Sequence, residues 1–277
     1  MNKILIPTDF SIEAKYAISI ALKLIEKFSG DITLLHVVNT PADMLTDKNG
    51  IVIDDNEVDF TSYKTSLIEA KDKMVAFKKE LPENVGAEVL EGKLNDTIIK
   101  YIEKRGFDLV VMGTKGAEGI REILHGSETE IIVRRSPVPV LSLMHSDEVF
   151  QLKNILFIND FKRVTIENLD ILKAIISAFN AELHLLKISS DDESDLLIEK
   201  NMQDFINLNS LKNASMHIFK DRDVEDGIVH FLQKHEIDLL TIGTHSHKGF
   251  KPWSKSSVTE SLVKHLHKPI LSFHLNN

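Results

Sequence analysis

Short, nearly continuous apolar runs alternate along the chain with longer stretches in which apolar residues recur every three or four positions. Residues 4–6 and 32–38 are apolar runs rich in β-branched side chains, a pattern typical of buried parallel strands. Between them, residues 14–25 carry apolar side chains at helical spacing and mostly polar side chains at the remaining positions. These three segments predict a β-α-β unit.

The same alternation continues through the first half of the chain. It predicts three further helices and three further strands, namely helices at 67–81, 96–104 and 127–135 and strands at 87–90, 109–112 and 138–143. Five strands joined by crossover helices imply an α/β fold with a doubly wound parallel sheet. Ligands of such sheets bind at the carboxyl ends of the strands, which here are followed by Asp9, Val37, Gly92 and a loop that begins at Gly113. The acidic stretch 40–62 follows neither period and is expected to form a mobile excursion.

An internal repeat relates the two halves of the chain. Three pairs of segments match, and they are 3–10 with 154–161, 107–114 with 237–244, and 136–143 with 266–273. The repeat predicts two tandem domains of one fold, at residues 1–146 and 152–277, joined by a polar linker around 144–153. The last strand of each half is a sheet edge, whose unpaired N–H and C=O groups favour pairing with another strand.

Composition excludes several classes of function. The chain of 277 residues has no cysteine, which removes disulfides, thiolate metal sites and cysteine nucleophiles and favours a cytoplasmic setting. A formal net charge of -9, with no dense basic stripe to offset it, argues against direct nucleic-acid binding. The first apolar run is too short for a secretory signal, and no run of about 18 apolar residues would span a bilayer. Neither nucleic acid nor membrane is therefore an expected partner.

A glycine-rich loop after the fourth strand carries the most specific chemical signal. Its pattern is Gly113, two residues, Gly116, nine residues, and then Gly126 followed by Ser127. We expect the first two glycines to turn the chain tightly and to bring bare backbone N–H groups against an anion. Ser127 and Glu130 form a capping box, which opens a helix whose positive end faces the loop. The loop is predicted to hold phosphate, although turn and cap glycines alone would also explain Gly113 and Gly126.

No P-loop and no Gly-x-Gly-x-x-Gly fingerprint follows a strand, which removes the usual NTPase and dehydrogenase interpretations. The chain instead resembles the universal stress protein family, nucleotide-binding branch, in four segments, namely 3–11, 34–37, 112–116 and 126–127. The likeness covers nearly all of residues 1–145 and, more weakly, 152–275. It implies a tandem member whose domains are five-stranded, parallel and similar to the adenine nucleotide α-hydrolase (Rossmann-like) fold. It also implies binding of ATP or AMP, with Mg²⁺ left open. Because the last strands pair between subunits in that family, the resemblance further implies that the two halves pair there as an intramolecular pseudo-dimer, with a homodimer left open.

The resemblance places nine nucleotide contacts on this chain. Asp9 and Val37 would contact the adenosine. The others would line the path of the ribose and phosphates, and they are Met112, Gly113, Lys115, Gly116, Gly126, Ser127 and Glu128. Glu128 departs from the family, in which a small apolar residue is commoner, and a carboxylate there would repel phosphate. The position of Asp9 after a strand is equally explained by a role as a turn former or N-cap.

The second copy of the loop has changed. Its remaining candidates for a weak second site are Asp160, Gly243, Ser246, Ser256 and Ser257. Serine replaces the second and third glycines, and the added Cβ atoms would hinder close approach to phosphate. Lys187 is interpreted as the counterpart of Val37, where a lysine would be costly to bury beside adenine. The second half is therefore expected to bind nucleotide poorly.

Histidines in the second half form two sequence pairs, His245 with His247 and His265 with His267. Each pair offers two metal ligands, but no third ligand follows at a diagnostic spacing, so we expect surface histidines and no metal site.

Three functions follow from the sequence. The leading hypothesis is a stress-response protein, not primarily a catalyst, that binds an adenine nucleotide in its first domain and signals through partners or self-association. The alternatives are a slow ATP hydrolase and an interaction scaffold that binds no nucleotide. The hydrolase is disfavoured because the sequence shows no positioned base, arginine finger or second metal carboxylate.

Overall fold

The computed structural model describes residues 1–40, 60–114, 128–144, 150–190, 193–245 and 268–275. The first half comprises β1 (Lys3–Pro7), α1 (Ile12–Glu26), β2 (Asp31–Asn39), α2 (Phe60–Lys78), β3 (Val85–Gly92), α3 (Leu94–Arg105), β4 (Leu109–Thr114), α4 (Glu128–Arg135) and β5 (Val140–Met144). The second half comprises β6 (Asn154–Ile158), α5 (Asp170–Phe179), β7 (Glu182–Ser189), α6 (Asp195–Leu208), β8 (Ala214–Lys220), α7 (Val224–Leu232), β9 (Leu239–His245) and β10 (Ile270–Leu275).

The described strands form one continuous sheet in the order β3-β2-β1-β4-β5-β10-β9-β6-β7-β8. Strand pairs within each half are parallel, whereas β5 and β10 pair antiparallel, with Leu271 opposite Leu141. The two halves therefore share one strand order and meet through their last strands. This confirms the predicted α/β class with parallel sheets, and it confirms the predicted pairing of the halves.

Helix α2 begins earlier than the sequence indicates. The predicted helix started at residue 67, and residues up to 62 were assigned to the acidic excursion, but α2 already begins at Phe60. The helix has an additional first turn because Tyr63 is buried. Tyr63 and Ala70, on one face of α2, form a small apolar cluster with Val38 at the end of β2. Residues 41–59, the remainder of that stretch, lie outside the described residues.

One hydrophobic core runs through both halves. On the face covered by α1, α2, α5 and α6, a single cluster contains Leu24 of α1, Ile175 of α5 and the paired junction residues Leu141 and Leu271. On the opposite face each half has a separate cluster, beneath α3 and α4 in the first half and beneath α7 in the second. The halves are thus joined on one face of the sheet and remain distinct on the other.

Among the described residues, no helix combines the length and the apolar character that a membrane span requires.

Candidate functional site

The carboxyl ends of β1 and β4 flank the point where the strand order of the first half reverses. Strand β1 lies between β2 and β4, so the chain moves to one side of β1 first and to its other side later. Such a reversal opens a crevice at the carboxyl ends of the strands. Asp9 follows β1, and Gly113 is the penultimate residue of β4. The structure therefore places these two predicted contacts on either side of the crevice.

A tight turn after β1 holds Asp9. The amide of Thr8 donates to the Leu35 carbonyl at 2.9 Å, which ties the turn to β2. The amide of Phe10 donates to Thr8 Oγ1 at 3.1 Å, and the amide of Ser11 donates to Asp9 Oδ1 at 3.0 Å. Phe10 has a φ of 65°, a conformation that bulky side chains seldom adopt and that surrounding contacts must hold. Asp9 is thus a turn former, and its carboxylate is exposed at the crevice.

His36 supports this turn from β2. Its Nδ1–H donates to the Thr8 carbonyl over 2.7 Å, and its ring centroid lies 4.7 Å from that of Phe10. His36 has no diagnostic spacing in the sequence, where a lone histidine in a strand gives no sign of its role. Only the contact between β1 and β2 shows its part in fixing the backbone beside Asp9.

The first turn of α1 presses against β4 at Gly113. Ser11 caps the helix, since its Oγ accepts the amide of Ala14 at 3.2 Å. A Cβ atom on Gly113 would overlap the Glu13 carbonyl oxygen and would lie 2.8 Å from the Ala14 amide nitrogen. Gly113 itself belongs to a regular strand and pairs with Leu143. The expectation that Gly113 serves a tight turn is therefore wrong, because its missing side chain makes room for α1.

Val37 and Met112 lie on the face of the sheet opposite to the one that α1 covers. They are 7% and 8% exposed and belong to one apolar cluster that α3 and α4 cover. Glu128 is the first residue of α4, which agrees with the predicted start of that helix, and its side chain is outside the description. Four further predicted contacts lie outside the described residues, namely Lys115, Gly116, Gly126 and Ser127.

Comparison with known proteins identifies the family. The profile of the universal stress protein family matches residues 1–143 and again residues 152–274. The chain belongs to the universal stress protein family. It is 35% identical to the universal stress protein MJ0577 of Methanocaldococcus jannaschii in an alignment 157 residues long that covers 50% of this chain and 93% of that protein. It is 30% identical to MJ0531 of the same organism over 140 residues, 50% of this chain and 80% of that protein.

A solved structure supports the fold of the whole chain. The crystal structure of a universal stress protein from Archaeoglobus fulgidus covers 99% of this chain and 98% of its own, with a TM-score of 0.72 and 21% identity. Together with the double family match, this shows two tandem universal stress protein domains of α/β architecture. The exact domain bounds, 1–146 and 152–277, stay a prediction.

The second universal stress protein domain repeats the turn after its first strand. The amide of Phe161 donates to Asn159 Oδ1 at 2.7 Å, the amide of Lys162 donates to Asp160 Oδ1 at 3.0 Å, and Phe161 has a φ of 50°. Asp160 therefore occupies the same backbone position as Asp9. The turn motif survives in both domains because side-chain oxygens stabilise it in both.

The helix that follows this turn begins at a different distance from it in the two domains. Helix α1 begins two residues after Phe10, whereas α5 begins nine residues after Phe161 and has no side-chain cap. The intervening segment contains the buried Glu167, whose amide donates to Asn209 Oδ1 at 2.8 Å. The second domain therefore lacks a capped helix end beside its Asp turn.

Strand register corrects the interpretation of Lys187. β7 pairs with β6 as β2 pairs with β1, and this register makes Lys187 the counterpart of His36 and Ile188 the counterpart of Val37. The assignment of Lys187 to the Val37 position is therefore wrong by one residue. Because neighbouring residues of a strand face opposite sides, the slip moves the lysine to the other face of the sheet.

Lys187 is buried where it lies, and a carboxylate pairs with its ammonium group. Its Nζ is 3.0 Å from Glu193 Oε2, and its side chain is 8% exposed. The second domain thus keeps a β-branched apolar residue, Ile188, at the position of Val37. Gly243 lies in β9, whereas Ser246, Ser256 and Ser257 are outside the described residues.

Most of the paired histidines lie beyond the part of the chain that the structure describes. His247, His265 and His267 lie outside it, and His245 ends β9 with its side chain undescribed. Within the described ranges, no three His, Asp or Glu side chains are grouped to hold a metal ion.

Proposed function

We propose that the first domain binds an adenine nucleotide, ATP or AMP, in the crevice between β1 and β4. The observation that carries this proposal is the convergence of Asp9, the capped start of α1 and the end of β4 at the point where the strand order reverses. The Gly-x2-Gly-x9-Gly-Ser pattern continues directly from β4 and ends where α4 begins. Universal stress protein membership is consistent with this assignment.

Charge and polarity at the crevice suit such a ligand. The amino end of α1 lies at the crevice and α4 begins after Ser127, so two helix dipoles favour an anion there. Val37 and Met112 are 7% and 8% exposed, so a purine base would contact only the small part of each side chain that α3 and α4 leave accessible. The exposed carboxylate of Asp9 offers an acceptor for the amine or hydroxyl donors of an adenosine.

Binding with signalling, rather than catalysis, is the function that this arrangement supports. A phosphoryl-transfer site combines an activating base, metal-holding carboxylates and a cation that stabilises the transition state. The described crevice supplies Asp9, one of whose oxygens already accepts the Ser11 amide. We propose that the nucleotide acts as a signal that partners or self-association detect, in the cytoplasm, with Mg²⁺ entering as a companion of the phosphates. The second domain, which lacks the capped helix end, binds nucleotide weakly.

Matched aspartate variants test the site. In the whole chain, Asp9→Asn keeps the turn acceptor for Ser11 but replaces a carboxylate oxygen by an amide donor. We expect the affinity for ATP or AMP, measured by isothermal titration calorimetry, to fall about tenfold, as the loss of a charge-assisted hydrogen bond predicts. The control Asp160→Asn makes the same change in the second domain and should leave the affinity at the wild-type value.

The same samples separate the alternatives. If the wild-type protein binds no nucleotide, only the scaffold hypothesis remains. If the affinity falls in Asp160→Asn alone, the site lies in the second domain. Acid quenching of the ATP complex should return intact nucleotide. Steady release of ADP by the wild type, absent in Asp9→Asn, would instead establish the hydrolase.

A further inference from the structure

Two histidines and a serine form a closed triangle at the other end of the sheet. His184 lies near the start of β7, and Ser215 and His217 lie on β8, the last strand of the sheet. His184 Nδ1 and His217 Nε2 are 3.1 Å apart, and Ser215 Oγ lies 2.8 Å from the first nitrogen and 3.1 Å from the second. We call these three residues the β7–β8 triangle. It lies at the amino ends of the strands, opposite the proposed nucleotide crevice.

Proton accounting shows that the triangle is satisfied when both imidazoles are neutral. His184 Nε2 lies 3.3 Å from the side-chain oxygen of Asn154, an acceptor, so this nitrogen carries the proton and Nδ1 presents its lone pair. That lone pair accepts the Ser215 hydroxyl, and the Ser215 oxygen in turn accepts the His217 Nε2–H. If both imidazoles were charged, two N–H groups and two positive charges would face each other across 3.1 Å. The triangle therefore accepts at most one extra proton while it stays closed.

The surroundings add to this preference. His235 lies beside the triangle, with its ring 5.6 Å from that of His217, and its Nδ1–H donates to the Phe231 carbonyl at 2.8 Å. Burial lowers the pKa of His217, and the positive charges of His184 and His235 lower it further. Burial also lowers the pKa of His184, with His235 acting in the same direction and the carboxylate of Glu182 against it.

The polar groups on the β6 side of the β7–β8 triangle are either uncharged or already hydrogen-bonded. On the β6 side the neighbour is the uncharged amide of Asn154, and the nearby Asp238 carboxylate accepts the backbone amides of Lys153 and Asn154. A metal ion is disfavoured as the ligand, because the described residues contain no group of three His, Asp or Glu side chains arranged to hold one. The proton is then the ligand that the geometry fits.

We propose that the β7–β8 triangle is a proton-sensitive latch, which holds β8 on β7 at neutral pH and weakens that pairing on acidification. Because the pKa values of both histidines are lowered on folding, their contribution is complete above the ordinary histidine pKa of about 6.5 and is lost as pH falls toward the lowered values. Opening of β8 would present the hydrogen-bonding edge of β7, a surface on which another strand can pair. Acidification would thereby create an interaction surface in the second domain that is independent of nucleotide.

Hydrogen exchange of the whole chain tests the latch. We expect the protection of the amides of residues 214–220, corrected for the intrinsic pH dependence of exchange, to fall by about tenfold from pH 7.5 to pH 5.5. The lower pH lies about one unit below the ordinary histidine pKa of the opened state, and one unit corresponds to a tenfold change in an equilibrium. In the double variant His184→Asn with His217→Gln, which keeps polar groups near the two nitrogens, protection should not change with pH.

His230→Gln is the matched control. His230 lies in the same domain but outside the β7–β8 triangle, and its Nδ1 is 2.8 Å from Asp221 Oδ2, so it faces a carboxylate instead of a second imidazole. This variant should keep the acid response of β8. Equal protection of the wild type at both pH values would overturn the proposal, and so would an unchanged response in the double variant.

Two further measurements keep the test decisive if the double variant does not fold. In the wild type, imidazole NMR should show His184 and His217 titrating together and below the ordinary histidine range; independent titration at about 6.5 would contradict the latch. Exchange should also be unaffected by EDTA. An acid response that disappears with the chelator would identify a bound metal and overturn the assignment to protons.

Discussion

At the scale of single residues, the role of a position depends on what its side chain, or the lack of one, faces. Gly113 and Asp9 were both singled out for ligand binding, and both also have structural tasks. Gly113 admits α1 to the surface of β4, and Asp9 accepts the amide of Ser11. These tasks fix the geometry of the crevice before any ligand arrives. Their place in nucleotide contact stays a prediction.

Gly113→Ala should therefore destabilise the protein even without ligand. The added Cβ meets backbone atoms of Glu13 and Ala14, which cannot move aside as a flexible side chain can. We expect the free energy of unfolding in urea to fall by about 1–3 kcal/mol, as in other overpacked sites.

Gly86→Ala is the control for this substitution. Gly86 also lies in a strand, β3, but the nearest atom to its new Cβ is 3.6 Å away, an ordinary contact. Its free energy of unfolding should stay level or rise slightly, because alanine restricts the unfolded chain. Equal stability of the two variants would mean that α1 does not approach β4 as closely as described.

At the scale of elements, the described parts of the two domains differ in the helix after their first strand. Helix α1 starts directly after the aspartate turn and is capped by Ser11, whereas α5 starts seven residues later relative to the same turn and lacks a side-chain cap. An anion at the second crevice would therefore meet no helix amino end at this point. The domains therefore differ in backbone at this point as well as in sequence.

Removal of the cap should show its contribution. We expect Ser11→Ala to lower the free energy of unfolding by about 1 kcal/mol, the usual value of an N-cap hydrogen bond. Ser194→Ala is the matched control, since Ser194 holds the N-cap position of α6 without a side-chain hydrogen bond. Urea denaturation of the two variants should therefore give unequal losses, and equal losses would argue against the cap at Ser11.

Much of this element order was predictable, and the exceptions have physical causes. Buried parallel strands and amphipathic helices leave an apolar period in the sequence, so β1, β2 and α3 were found to within a few residues. The position of Lys187 was misjudged by one residue because a repeat of similar segments does not reveal strand register. The β7–β8 triangle was missed because its members come together only through the pairing of two strands. The start of α5 depends on Glu167 and Asn209, which lie far apart in sequence.

At the scale of the whole molecule, the two domains share one hydrophobic cluster on one face of the sheet. Leu271 is fully buried at the β5–β10 junction and belongs to the cluster that both halves share. Ile228 is equally buried but belongs to the cluster confined to the second half. The two residues therefore report on different parts of the core.

This difference predicts the extent of damage from a cavity. Leu271→Ala should lower the free energy of unfolding by about 2–5 kcal/mol and raise hydrogen exchange in peptides of both halves. Ile228→Ala should cost a similar amount, with increased exchange confined to the second half. Exchange that increases only in the second half for both variants would show that the junction does not couple the domains.

The β5–β10 junction also bears on the history of the chain. Two separate subunits that meet through edge strands obey mass action, so that dilution dissociates them and each subunit must keep all of its own functions. Here the partner strand is covalently tethered, and its effective concentration does not change with the amount of protein in the cell. One domain can then lose the glycines of its loop, or begin a helix later in its sequence, while the two domains remain correctly paired. Tethering thereby makes the divergence of the second domain tolerable.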